Sequence, residues 1–230
     1  MQRKLGRRIK NINDGNNFFY LTLSLIALLI SASLAEVVGE GVIDHILQGF
    51  IIWTFVVCLA SLRFDRKWFR FLAFLTAVWV AVLILKSVLN IRHMDLAMLA
   101  LTFAFFFATF QSTAKQVLFH GNVNANKVIG SIALFLLLGL MWAIVYLLIL
   151  EFSPTAFTGM TALTWGDNFS NAAYFSFVTL TTLGYGDISP TTPFAQVVVY
   201  LEAITGVFYM AIVVSSLVSA NIEHREHKNG

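Results

Sequence analysis

Thr181-Thr182-Leu183-Gly184-Tyr185-Gly186-Asp187 lies between two long apolar runs, and the rest of the chain reads as its support. Polar Asp167-Asn168-Phe169-Ser170 and a short amphipathic segment, 171–180, precede it; Ile188-Ser189-Pro190 follows. A stretch with two threonines and two glycines cannot lie against lipid, where its backbone groups would find no partners. It must line a water-filled path or be buried in protein, which makes it the candidate functional stretch.

The solvent around it is lipid. Of 230 residues, 58% are hydrophobic and 12% charged, 22 are Phe, and the mean hydropathy is +0.79. That composition excludes an ordinary soluble domain. A bilayer-spanning helix takes about 20 apolar residues, and six such runs occur, near 18–38, 43–62, 71–88, 96–112, 128–152 and 194–220. They leave too little of the chain for a separate soluble domain. The expected fold is an all-α membrane protein of six transmembrane helices, with a short re-entrant helix before the quoted stretch. Its expected parts are a basic tail (1–17), a four-helix transmembrane domain (18–115), a linker (116–127), a domain built around the quoted stretch (128–220) and a short tail (221–230). Basic residues before the first run, with Ser33-Leu34-Ala35 after it, also resemble a secretory signal. The length of the run and an even span count favour a retained helix.

Thirteen of the fifteen Lys and Arg fall in the two tails and in the even-numbered connections; Lys86 and Arg92 are the exceptions. The positive-inside rule then puts both termini in the cytoplasm. The net charge of +3 follows this topology and is no nucleic-acid signal. A lone cysteine, Cys58, gives no disulfide partner.

Thr182-Leu183-Gly184-Tyr185-Gly186 resembles the selectivity filter of potassium channels, whose pattern is Thr-Val-Gly-Tyr-Gly. The resemblance covers residues 129–218, an outer helix, a pore helix, the filter and an inner helix. It implies that the carbonyls of Thr182, Leu183, Gly184 and Tyr185, with the Thr182 hydroxyl, replace the water around a K+ ion. One chain supplies a quarter of each oxygen ring, so a homotetramer in a plasma or bacterial inner membrane is implied, contacting lipids and conducting passively. K+ is the permeant ion; no cofactor is implied. Leu183 departs from the pattern, and its side chain is expected to point away from the pore. The glycines have a backbone reason: turning successive carbonyls to one axis needs positive φ, which residues with a Cβ resist.

Supporting residues divide between functional and plain readings. The pore helix should start near Asp167 or Ser170, end at Thr181 and aim its negative end at a central cavity. Asn168-Phe169-Ser170 is formally a glycosylation sequon, read here as cap chemistry. Tyr174 and Phe175 occupy the places where the resembled family forms an aromatic cuff around the filter tyrosine. Phe175 cannot donate a hydrogen bond to Asp187, so either another donor serves or the filter is loosely braced; both aromatics could equally be core. Glu202 is an intramembrane carboxylate and hence a functional candidate. It is expected behind the filter, bonded to Tyr174 or Thr179; a place by the cavity wall and a protonated interhelical bond are the alternatives. Gly206 is a candidate gating hinge, with close packing as its plain reading.

A six-span layout also resembles voltage-gated channels, but the fourth run holds no Arg or Lys between Leu96 and Gln111. Voltage sensing by a charged helix is therefore not expected. His224 and His227 in the tail read as solvated residues, and no paired Asp or Ser/His arrangement in a span points to an enzyme. A less selective cation channel and a non-conducting scaffold or regulatory subunit are the rival readings. Tyr185 weighs against the first.

Overall fold

Long apolar runs make helices in this chain because lipid offers no partner for a backbone N–H or C=O, so each span must satisfy its own. The computed structural model describes residues 17–38, 43–61, 66–89, 94–119, 125–160 and 164–215. Its helices are α1 (Asn17–Val38), α2 (Ile43–Ser61), α3 (Arg66–Leu89), α4 (Met94–Phe119), α5 (Ala125–Phe152), α6 (Trp165–Leu180) and α7 (Pro193–Phe208). A π-helical stretch, Tyr209–Val214, continues α7. Two short strands, β1 (Phe157–Thr158) and β2 (Ser189–Pro190), pair antiparallel. The basic N-terminal tail, residues 39–42, 62–65, 90–93 and 120–124, and the C-terminal tail with His224 and His227 lie outside the described residues.

The protein is an all-α, multi-pass membrane protein. By length and composition, 5 of the helices (α1, α3, α4, α5 and α7) can cross a membrane among the described residues. The remaining expected span corresponds to α2, which has 19 residues and a shorter apolar stretch, Gln48–Ala60. At 1.5 Å per residue it is about 28 Å long, close to the bilayer's hydrocarbon thickness.

Two expected boundaries move. The basic loop before the third span is partly helix, since α3 starts at Arg66; Arg and Lys are good helix formers, and their stems can follow apolar surface while the charge stays wet. The linker is shorter than expected, because α4 runs to Phe119 and α5 begins at Ala125. Val117 is buried there, and Lys115 lies 5.3 Å from the centre of the Trp68 ring, so the last turn of α4 has partners that hold it helical.

Around the pore half, α5 is the hub: α4, α1 and α6 all pack along it. α1 and α2 also reach α6, so the peripheral helices touch the pore helix directly. The peripheral core is aromatic. Phe55 stacks on Phe105 at 3.8 Å and meets Trp79 edge-on at 5.7 Å, while the Trp79 indole N–H bonds Thr102 Oγ1 at 3.0 Å. Cys58 is fully buried in this core.

Candidate functional site

The quoted stretch hangs from the C-terminal end of α6. The Thr181 N–H donates to Phe177 O at 3.0 Å, Thr182 to Thr179 O at 3.0 Å, and Leu183 to Val178 O at 2.9 Å. The last carbonyls of the pore helix are therefore occupied by the strand that follows, which fixes where that strand begins.

Along it, Thr182, Gly184 and Gly186 have φ of +59°, +57° and +82°; of the non-glycine residues described, Thr182 alone has positive φ. Positive φ at every second residue turns successive carbonyls toward one side of the chain. Gly184 and Gly186 adopt this without penalty, whereas a β-branched residue does so at a cost of about 1–3 kcal/mol. Residues 181 to 187 are all exposed in the single chain, Leu183 included.

The pore helix starts earlier than the sequence suggests. Thr164 is its N-cap, and Asp167 is the reciprocal partner: the Thr164 N–H donates to Asp167 Oδ2 at 3.1 Å and the Asp167 N–H to Thr164 Oγ1 at 3.5 Å. A Thr with Asp three residues on is a capping box, a signal the sequence did contain. Asn168 is buried and its amide faces Thr164 O at 3.5 Å, which leaves the sequon no exposed acceptor.

Tyr174 and Phe175 part company. The Tyr174 hydroxyl donates to Asp187 Oδ2 at 2.7 Å, and its ring stacks on Tyr185 at 6.5 Å. Tyr174 is thus the donor that Phe175 cannot be. The hydroxyl bond also holds the Asp187 carboxyl below its ordinary range. Phe175 is buried, with ring centres 5.0 Å from Tyr146 and 5.7 Å from Phe157. Its place is the core behind the pore helix.

On α7 the buried positions are Ala195, Val198, Glu202 and Gly206, one face at helical spacing. Pro193 stands in the first turn, as expected, after the N-cap Thr192. Glu202 is buried between α6 and α5, with partners other than those expected. Its Oε1 is 2.5 Å from Ser176 Oγ on α6, and its Oε2 meets the Tyr146 hydroxyl of α5. The Tyr174 hydroxyl is instead engaged by Asp187, and at Thr179 the backbone carbonyl accepts from the Thr182 N–H. Gly206 faces the end of the pore helix: a Cβ there would collide with the Leu180 carbonyl oxygen and lie 2.9 Å from its carbon. α7 keeps its α-helical form through Gly206 and turns π-helical at Tyr209, whose hydroxyl donates to Ser131 O on α5.

Sequence reasoning missed several supports. Ser176, Tyr146 and Gly139 stand in no motif of the sequence. β1 ties the loop after α5 to the segment after the filter, with Phe157 opposite Pro190 and Thr158 opposite Ser189. At the start of the pore helix, the Trp165 indole donates to Asp95 Oδ1 at 3.0 Å, and Asp95 also pairs with Lys86. Trp165 is buried.

Comparison with known proteins agrees with this geometry. Residues 132–223 match a family model described as Ion channel. A two pore potassium channel c from rice (Oryza sativa subsp. japonica) is 40% identical over 58 residues, 25% of this chain and 13% of the rice protein. This part of the chain is thus similar to the ion channel family and to named potassium channels. The mouse and human potassium voltage-gated channel subfamily A member 10 are each 45% identical over 58 residues, 24% of this chain and 11% of theirs. The match thus spans only a small part of these relatives. No solved structure matches the chain significantly.

Proposed function

We propose that the chain is one subunit of a homotetrameric, potassium-selective channel that conducts passively through rings built from Thr182, Leu183, Gly184, Tyr185 and Gly186. The observation that carries this reading is the alternation of positive φ at Thr182, Gly184 and Gly186 on an exposed strand pinned to the pore helix. A single wall of carbonyls has no function alone. Four of them around an axis replace a hydration shell. Similarity to potassium channels and the presence of Tyr185 favour potassium over a less selective cation pore.

Thr181, Asp187 and Tyr174 brace the filter, and Phe175 and Glu202 brace the helix that carries it. Asp187, with Glu151 and Asp167, places negative charge on the face to which the filter opens. Charge of that sign raises the local cation concentration. The Lys and Arg distribution orients that face outward and both termini toward the cytoplasm, in a plasma or bacterial inner membrane. α4 carries no Arg and its first Lys is Lys115, so opening is not driven by a charged fourth helix. Nothing in this reading calls for a cofactor or for chemistry on a substrate.

The test is potassium flux into liposomes of the purified full chain, repeated with sodium and with barium as blocker. Barium-sensitive flux of potassium well above sodium is the expected result. Equal flux of both ions would point to the less selective pore, and no flux to a scaffold or regulatory subunit.

A further inference from the structure

Three helices of the pore half meet at one buried polar chain, and its protons can be counted. Ser176 Oγ lies 2.7 Å from the Gly139 carbonyl oxygen of α5 and 2.5 Å from Glu202 Oε1, while Glu202 Oε2 meets the Tyr146 hydroxyl. Glu202, Ser176 and Tyr146 have no exposed surface.

Three oxygen–oxygen contacts at hydrogen-bond distance need three protons. The Gly139 carbonyl can only accept, and Ser176 and Tyr146 bring one proton each. If the Ser176 proton goes to Gly139, Oε1 must donate to Ser176. If it goes to Oε1, the Ser176 and Gly139 oxygens face each other at 2.7 Å with nothing between them. An ionised carboxylate leaves one contact empty, and a carboxylic acid fills all three.

Charge points the same way. Among the described residues, no cation pairs with Glu202. The titratable side chain bonded to it is Tyr146 from α5; α6 offers Ser176. A buried carboxylate without a counter-charge is costly, and taking up a proton removes that cost.

We propose that Glu202 works as a neutral carboxylic acid, a positioning residue that relays a hydrogen bond from Tyr146 through Ser176 to the Gly139 carbonyl and so sets the pore helix against both of its neighbours. The Leu180 carbonyl seated on Gly206, one turn along the same face, is the second point of that contact. The filter takes its starting position from the carbonyls of Phe177, Val178 and Thr179, in the turn after Ser176. The role at the filter rests on the channel reading above; the protonation does not.

The two parts are tested separately. Infrared spectra of the full chain at neutral pH, with and without carbon-13 glutamate, should contain a protonated-carboxyl C=O band that shifts with the label and is missing from Glu202→Gln. Absence of that band in the wild type overturns the proposal whatever the flux. Gln can donate to Ser176 and accept from Tyr146 as the acid does, so Glu202→Gln should keep potassium flux. Glu202→Leu and Ser176→Ala, which break the relay, should lower it at least about tenfold, the scale of a buried polar group losing its partner. A Gln variant that fails to fold, or loses flux as the Leu variant does, counts against the proposal, since an acid-mimicking amide would then not serve. A band without any potassium flux would sink the channel reading and leave the protonated relay standing.

Discussion

Replacing Tyr174 by Phe removes one hydroxyl and keeps the ring stacked on Tyr185, which isolates the bond to Asp187. We expect potassium flux from Tyr174→Phe liposomes to start normally and then decline faster than wild type, because the filter's exit has lost its strut. The pH dependence has a definite sign. Asp187 has its pKa lowered from an ordinary 3.8, first by the Tyr174 hydroxyl, so the brace is fully present above that ordinary value and is lost as pH falls through the lowered one. Flux in the wild type should therefore be flat through the physiological range and fall only on strong acidification of the filter's outer side. In Tyr174→Phe the fall should begin at higher pH; a profile identical to wild type would show that the bond does not matter.

Between elements, two contacts position the pore helix from opposite ends. At its C-terminal end, Gly206→Ala would force a methyl into the Leu180 backbone, and overpacking of this kind typically costs about 1–3 kcal/mol. A drop in thermal unfolding temperature of the detergent-solubilised protein checks this; an unchanged temperature with altered gating kinetics would favour a hinge instead. At the N-terminal end, Trp165, Asp95 and Lys86 join the pore helix to α4 and α3. Asp95→Ala should destabilise by about 1–3 kcal/mol, the range for losing a partly buried hydrogen bond to a charged acceptor. Asp95→Asn keeps an acceptor for Trp165 and loses only the pair with Lys86, so its effect should be under about 1 kcal/mol.

For the whole molecule, the proposed assembly turns on the face of α7 away from Glu202. Phe194, Val197, Tyr200, Leu201, Ile204 and Val207 are exposed in the single chain, on a helix that also carries the filter's support. In a tetramer these side chains meet neighbouring subunits or the central cavity. Native mass spectrometry in detergent should give four chains for the wild type, and Val197→Glu should shift the population toward monomers with helix content unchanged by circular dichroism. The peripheral helices make a different prediction. With no Arg or Lys along the membrane core of α4, currents from planar bilayers should follow the potassium gradient without steep activation by voltage.

Much of this was legible in the chain itself. The spans follow from runs of apolar residues, α6 from a polar stretch between two of them, and the proposed filter from Thr182-Leu183-Gly184-Tyr185-Gly186, whose Gly184 and Gly186 take the positive φ that the sequence implied. The intramembrane position of Glu202 was equally plain. What tertiary structure decided was azimuth and register: Ser176 rather than Thr179 faces Glu202, Tyr174 rather than Phe175 reaches Asp187, and Gly206 meets Leu180. The reason is physical. Helices that are apolar on nearly every face carry little in their own sequence to say which side turns inward, so their rotation is set only when small residues, rings and buried polar groups find partners on the next helix.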